Sequence, residues 1–344
     1  MSAARIALDV MGGDRGPGVV IAGGVAAARD DGADLVLVGH GGLIESELDR
    51  LGAASIGIEV VDAPDVIGMD ESPLAAVRAK PDSSVVVATG LVRAGRVKGV
   101  VSPGNSGAVI AAAVLGMRRI RGVERPALAT LFPTLEGRCL LVDVGASADC
   151  KAEHLLQFAV MGATYFEVMF DRPRPRVGLL SNGEEEGKGN AAVREAFELL
   201  RASGLNFVGN VEGKDLAHHL ADVVVMDGFV GNVTLKVAEG TGAFVKQLLR
   251  EEAKKTPLGL LGGLLLMPTL RRINRRIDWE EFGGAPILGV DGVCALAHGR
   301  SDARAIRSAV RVARHAAEVG LPEAIRRGIE AAEPVAAGRG AAGT

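Results

Sequence analysis

Arg5-Ile-Ala-Leu-Asp-Val-Met-Gly-Gly-Asp-Arg-Gly-Pro17 is the stretch whose reading decides the fold. Arg5–Val10 reads as a buried strand and Met11–Gly13 as a tight turn. Pro17 suits the first turn of a helix that runs to Asp30. Three more runs repeat the pattern of an apolar β-branched segment ending on glycine beside a polar residue. They are Ser102-Pro-Gly-Asn-Ser-Gly107, Gly183-Glu-Glu-Glu-Gly-Lys-Gly-Asn190 and Asp227-Gly-Phe-Val-Gly-Asn232. At least three of the four lead into helical patterns. Glycine turns feeding helices point backbone N–H groups and helix N-termini at a ligand. Four of them therefore predict one crevice for a phosphate-sized anion, at the carboxyl ends of the strands.

Working outward, strands and helices alternate. Strands are expected at Leu35–Val38, Ile56–Val61, Val97–Val101, Ala127–Phe132, Cys139–Val142, Arg176–Leu180 and Val223–Met226. Helices are expected at Leu43–Leu51, after Ser72-Pro73, and at Ala108–Met117, His154–Phe170, Ala191–Ser203 and Val233–Lys254. Ile287–Val290 and Val293–Leu296 read as paired strands before a closing helix at Ala303–Val319. This predicts an α/β fold, a three-layer α/β/α sandwich on a mostly parallel sheet. Residues 1–330 form one domain and Ala331–Thr344, rich in Ala and Gly, reads as a disordered tail.

Composition narrows the class. The 344 residues can bury a sizeable core, and a net charge of −3 gives no case for nucleic acid. One Trp and one Tyr cannot build base-stacking platforms. Cys139, Cys150 and Cys294 lie far apart without metal-finger spacing, so reduced thiols are expected. The N-terminal residues run straight into a strand without the apolar region of a secretory signal, so a cytoplasmic protein is expected.

These segments make the chain resemble the bacterial phosphate acyltransferase family, also called acyl-ACP:phosphate transacylase. The matching runs are Ile6–Asp14, Ser102–Ala108, Arg125–Leu128, Leu141–Ala146, Gly183–Asn190, Gly209–Gly213, Asp227–Lys236 and Gly283–Ala285. Pro103 and Ser106 stand where the family usually has Ala and Thr, and Ser147 where it has Asn. The resemblance implies an isocitrate/isopropylmalate dehydrogenase-like fold and reversible transfer of a fatty acyl group from acyl carrier protein to inorganic phosphate. The product would be acyl phosphate for phospholipid synthesis, made by direct attack of phosphate on the thioester without a cofactor. Implied partners are acyl-ACP, phosphate, a second copy in a homodimer, and a membrane glycerol-3-phosphate acyltransferase that consumes the product. The alternatives are a coenzyme A-dependent phosphotransacetylase or a decarboxylating dehydrogenase on the same fold, and a non-catalytic membrane-associated scaffold.

The reaction needs charge stabilisation at the tetrahedral centre and a held phosphate. Lys188, between Gly187 and Gly189, is either a solvated balance to Glu184, Glu185 and Glu186 or the charge stabiliser; the resemblance favours the second. Asn232 is the second candidate catalytic residue, and a helix cap and a ligand contact are compatible there. Phosphate or substrate contacts are expected from Asp9, Gly12, Gly13, Asp14, Gly104, Asn105, Ser106, Asn190, Asp227, Gly228 and Gly231. Asp9 and Asp14 fit a role tying down their loop through backbone N–H groups, and no clustered ligand set points to a metal. His218-His219 face different ways on a presumed helix, His298 reads as a core histidine, and Cys150 has no evident base.

Pro257-Leu-Gly-Leu-Leu-Gly-Gly-Leu-Leu-Leu-Met-Pro268 is a separate feature, framed by Lys254-Lys255 and by Arg271, Arg272, Arg275 and Arg276. It is too short to span a bilayer, which takes about 20 residues. Its prolines and glycines predict a turn between two helices of a hairpin at about 251–280. Leu258, Leu260, Leu261, Leu264, Leu265 and Leu266 would form an apolar tip for the cytoplasmic membrane surface or for a dimer partner.

Overall fold

The computed structural model describes residues 4–277 and 283–337. One sheet of eleven strands runs β3-β2-β1-β4-β11-β10-β5-β6-β9-β7-β8. In chain order the strands are β1 (Ile6–Asp9), β2 (Leu35–Gly39), β3 (Glu59–Asp62), β4 (Gly99–Ser102), β5 (Ala127–Thr134) and β6 (Gly137–Val142). They continue with β7 (Arg176–Ser181), β8 (Asn206–Glu212), β9 (Val223–Val225), β10 (Ala285–Leu288) and β11 (Val293–Leu296). Seven of the ten ladders are parallel, which bears out the mostly parallel expectation.

Helices cover both faces. Strand residues alternate between them: Ile6 and Leu8 belong to the core layer that lies under α1 (Pro17–Asp31) and α10 (Ala303–Glu318) and continues along the sheet under α6 (Ala152–Phe170), whereas Ala7 belongs to the layer under α4 (Ser84–Arg93) and α5 (Ser106–Gly116). The first layer also holds α2 (Gly41–Arg50) and α7 (Ala191–Ala202), and the second holds α3 (Pro73–Ala79). α6 buries Phe158 and Met161 completely at the centre of the molecule.

Strand direction is the feature that positions the site. β1 to β4 and β11 run one way. The three antiparallel ladders, β11–β10, β10–β5 and β5–β6, reverse the direction three times across the sheet. β6, β9, β7 and β8 therefore run opposite to β1 and β4. The cause is local at two of these ladders. β5 and β6 are joined across Leu135-Glu136, and β10 and β11 across Gly289–Gly292, and such short links allow only antiparallel neighbours.

Two expectations change here. The Pro257–Pro268 stretch is not a turn but the first three turns of α9 (Pro257–Ile277), packed antiparallel on α8 (Gly228–Lys254). Pro257 occupies a position that needs no N–H, the Thr256 hydroxyl accepts the Gly259 amide at 2.9 Å, and the leucines favour helix. The hairpin thus spans 228–277, its turn at Lys255-Thr256. The tail is also shorter than expected, because α11 (Leu321–Ala337) carries Leu321, Ile325 and Ile329 into the core at helical spacing. Residues 338–344 lie outside the described residues.

Candidate functional site

Each of the four glycine runs follows a strand and opens a helix, but strand direction sorts them into two groups. β1 and β4 are neighbours, and their carboxyl ends share one edge of the sheet. β9 and β7 are neighbours as well, and their carboxyl ends lie at the opposite edge. The five steps from β4 to β9 amount to about 24 Å at the usual strand spacing, before the strand length is added. The single crevice expected from the sequence therefore does not form within one chain.

At the first edge, the buried Asp9 carboxylate accepts the Ser102 hydroxyl at 2.6 Å and the Met11 amide at 3.1 Å. The Gly104 amide in turn donates to Ser102 Oγ at 3.1 Å, so one carboxylate staples the two loops together. Burial pushes the Asp9 carboxyl up, opposed by Ser102, Ser84 and the amides of Met11 and Gly12. The loops nearly touch: a Cβ on Gly12 would stand 2.6 Å from the Gly104 nitrogen. Asn105 caps α5 by accepting the Ala108 amide at 3.2 Å, while its Nδ2 donates to the Met69 carbonyl at 2.9 Å. Its amide is spent on a cap and on the 68–71 segment. Ser106 follows as the first residue of α5. A small cavity is lined by Asp9, Gly12, Ser84, Gly104 and Asn105.

Sequence reasoning missed a third loop here. β11 pairs in parallel with β4, so the turn His298-Gly-Arg-Ser301 leaves the sheet at the same edge. The Ala297 amide bonds the Ser102 carbonyl at 2.9 Å, and the Asp14 amide bonds the Gly299 carbonyl at 2.7 Å. His298 is exposed rather than in the core, and its Nδ1 accepts the Arg300 amide at 3.1 Å. Asp302 then caps α10 through the Ala305 amide. The signal was present as another strand, glycine and cap before a helix.

The second edge is built around Asp143, which sequence reasoning also passed over. Its buried carboxylate accepts the amides of Leu128, Gly145, Ala146 and Ser147 at 2.7–3.1 Å. Burial pushes this carboxyl up and the amides oppose the shift. The N–H groups of this turn thus face their own carboxylate instead of a ligand. α8 rests on the turn, with the Gly228 amide on the Ser147 carbonyl at 2.8 Å. Gly231 is obligatory, because a Cβ there would stand 1.9 Å from the Asp143 carbonyl oxygen. Asp227 caps α8 through Val230, and the Asn232 Nδ2 lies 2.9 Å from where a Cβ of Gly145 would be.

Lys188 is on the loop after β7, whose carboxyl end is at this same edge. Its Nζ is 3.9 Å from the Glu185 carboxylate and the side chain is half exposed. The loop is held by Asn182, which accepts the Gly189 amide at 2.8 Å, and by Asn190, which caps α7 through Val193 at 2.9 Å. Gly189 has φ +96°, which suits glycine. Beneath the loop, Ser181 Oγ and Asn210 Oδ1 are buried without a hydrogen-bond partner among the described residues. Glu184, Glu212 and Asp215 also gather here within 4.8 Å, but Lys214 already bonds Glu212 and lies 3.8 Å from Glu184.

The remaining candidates have structural roles. His219 is not helical; it links the Thr134 hydroxyl at 3.2 Å to Asp222 at 3.1 Å. Burial and the Asp143 and Asp227 carboxylates push the Cys150 thiol up to about 11. Burial takes Cys139 and Cys294 up to about 12, so none of the three is a thiolate near neutrality.

With this geometry in place, the comparisons decide the family. A family model described as fatty acid synthesis protein matches residues 4–324. The phosphate acyltransferase of Heliobacterium modesticaldum is 48% identical over 333 residues, 96% of this chain and 99% of that protein. That of Pelotomaculum thermopropionicum is 46% identical over 334 residues, covering 97% of each. The chain belongs to the phosphate acyltransferase family. It is an acyltransferase, and phosphate is the substrate that the family name implies. Among solved structures, a phosphotransacetylase from Streptococcus pyogenes aligns with TM-score 0.64 at 17% identity, over 92% of this chain and 94% of its own. A 4-hydroxythreonine-4-phosphate dehydrogenase from Klebsiella pneumoniae aligns with TM-score 0.52 at 17% identity, over 92% and 98%. Both likenesses concern the fold alone.

Proposed function

We propose that the enzyme transfers a fatty acyl group from acyl carrier protein to inorganic phosphate, supplying acyl phosphate for phospholipid synthesis. The observation that carries this reading is the first edge. Two backbone segments meet there at glycines, Gly12 and Gly104, beside the N-termini of α1, α5 and α10. Such a surface suits a compact anion without a metal. Direct attack by phosphate is supported by the thiols, since burial pushes Cys150 up to about 11 and Cys139 and Cys294 up to about 12. A phosphate oxygen forms the bond to the thioester carbonyl carbon. The carbon–sulfur bond then breaks with its electron pair on sulfur, and a solvent proton neutralises the thiolate. Lys188 and Asn232 offer donors suited to the oxyanion that forms on the way, although within one chain they stand at the edge opposite Gly12 and Gly104.

The α8–α9 hairpin supports peripheral membrane association. Among the described residues no helix is long and apolar enough to cross a membrane. Near the hairpin turn, however, Leu258, Leu261, Leu264 and Leu265 are all more than half exposed, and their helical spacing puts them on one side of α9, within an arc of about 120°. An apolar tip flanked by Lys254, Lys255, Arg271 and Arg272 fits the surface of an anionic bilayer. The same cations suit an acidic carrier protein.

The test is to trap product with hydroxylamine after incubating the purified protein with phosphate and either long-chain acyl-ACP or acyl-CoA. Acyl hydroxamate from acyl-ACP supports the reading. Product only from short-chain acyl-CoA would replace it with a phosphotransacetylase, and no product from either would leave a scaffold.

A further inference from the structure

The loop that joins α5 to β5 carries Arg118, Arg119, Arg121 and Arg125 against one carboxylate, Glu124, in a chain whose net charge is −3. It runs along the second edge, and its end is bonded into the Asp143 turn. Asp143 accepts the Leu128 amide at 2.9 Å, and the Pro126 carbonyl accepts the Ser147 hydroxyl at 3.4 Å. Ile120 and Val123 are buried, while the four arginines are exposed. Elsewhere Arg5, Arg96, Arg176, Arg201 and Arg307 each pair with a carboxylate. Among the described residues, Arg118, Arg121 and Arg125 pair with none. The acids on the loop and on the turn it bonds are engaged: Glu124 lies 3.1 Å from His154 Nε2, and Asp291 lies 2.8 Å from Arg326. Two observations separate this loop from an ordinary solvated stretch. It is held rigidly, with the Ile120 amide on the Gly289 carbonyl and the Asp291 amide on the Arg118 carbonyl, both at 3.0 Å. Gln157 clamps it further, donating to the Gly122 carbonyl at 2.8 Å and accepting the Glu124 amide at 2.9 Å. In addition, Arg118 has φ +71°, a left-handed backbone that suits glycine and strains an arginine. A side chain kept in spite of such strain points to a use for it.

We infer that this arginine loop is the docking face for the acidic carrier protein that brings the acyl thioester. Guanidinium groups offer planar, paired donors to carboxylates, and here they are free to do so. Unpaired cations facing an acidic partner speed its encounter and fix its orientation. The rigid loop lowers the ordering cost of binding. A carrier seated there delivers its thioester at the edge that holds Lys188 and Asn232. A bilayer surface is the poorer occupant, because Ile120 and Val123 are buried and leave nothing to anchor among lipid tails. This rests on the acyl-transfer reading, since it assigns the carrier of that reaction to one face of the chain.

Arg118→Glu combined with Arg121→Glu tests it on the full chain, with fluorescently labelled long-chain acyl-ACP as the probe. Anisotropy should show the apparent Kd rising about tenfold, and KM for acyl-ACP should rise with it. The kcat and the KM for phosphate should stay at the wild-type values, a split that a merely structural role would not produce. Wild-type affinity should fall with added salt, and the variant's should depend on salt less. Should the reversed variant fail to fold by circular dichroism, Arg118→Gly with Arg121→Gln takes its place. Glycine relieves the positive φ at 118, so Tm should hold while affinity for the carrier falls. An unchanged Kd with unchanged salt dependence would overturn the proposal. Lost affinity in Lys254→Glu with Arg271→Glu, beside normal binding by the loop variant, would overturn it in favour of the hairpin. Lost flotation with anionic vesicles at unchanged carrier affinity would make the loop a membrane contact instead. A wild-type protein that turns over no acyl-ACP would count against acyl transfer itself, so the two failures are distinguishable.

Discussion

Gly12→Ala probes the first edge with one methyl group. The added Cβ would sit 2.6 Å from the Gly104 nitrogen and 2.7 Å from its Cα, both backbone atoms that cannot rotate away. Ordinary contact is about 3.5 Å, so the two loops must part by about 0.8–0.9 Å. The 2.6 Å bond from Ser102 to Asp9 anchors the strand ends, so the displacement falls on the loops that would hold phosphate. Overpacking of this kind costs about 1–3 kcal/mol of stability. A misplacement near 1 Å costs about a hundredfold in rate. The assays are thermal unfolding and kcat/KM for phosphate. Gly42→Ala in α2 is the control, because its Cβ would meet nothing within 4 Å. If Gly12→Ala matched that control in both assays, phosphate would not be bound between these loops.

Three other outcomes are expected. Cys150→Ser should leave turnover within about twofold, and acyl-enzyme trapped on that cysteine by acid quench would overturn direct attack. Leu261→Glu with Leu265→Glu should abolish flotation with anionic vesicles while leaving turnover on acyl-ACP and the light-scattering mass unchanged; a lost oligomer would assign the tip to the dimer interface instead. Asp31 is held below the usual carboxylate range by its hydrogen bonds to Arg307, despite an opposing effect of burial. That stabilisation is present above the unfolded carboxyl's pKa and is lost as pH falls below about 4. Arg307→Gln should therefore lower Tm at pH 7 and make little difference near pH 2, and an equal loss at both would refute the pairing.

The local units were legible and their global directions were not. Strand, glycine and helix in succession identified the turns after β1, β4, β7 and β9, because each is encoded within a dozen residues. The reversal was hidden because β10, near residue 285, inserts between β11 and β5, which begins at residue 127. No local pattern encodes a partner that far away. Asp143 was missed for a related reason: it sits in a quoted motif, but only the fold reveals that four amides converge on it. The α9 error came from reading Pro257 and the glycines as breakers, although proline at the first helical position is favourable. In α11, Leu321, Ile325 and Ile329 repeat every four residues, but the Ala and Gly content beyond them masked the helix.

Initial velocities of acyl phosphate formation over a grid of acyl-ACP and phosphate concentrations test the central claim most directly. Attack by bound phosphate on bound thioester requires both substrates on the enzyme at once, which predicts double-reciprocal lines that intersect. Parallel lines would mean that the acyl group leaves the carrier before phosphate arrives, and the direct-attack account would be wrong.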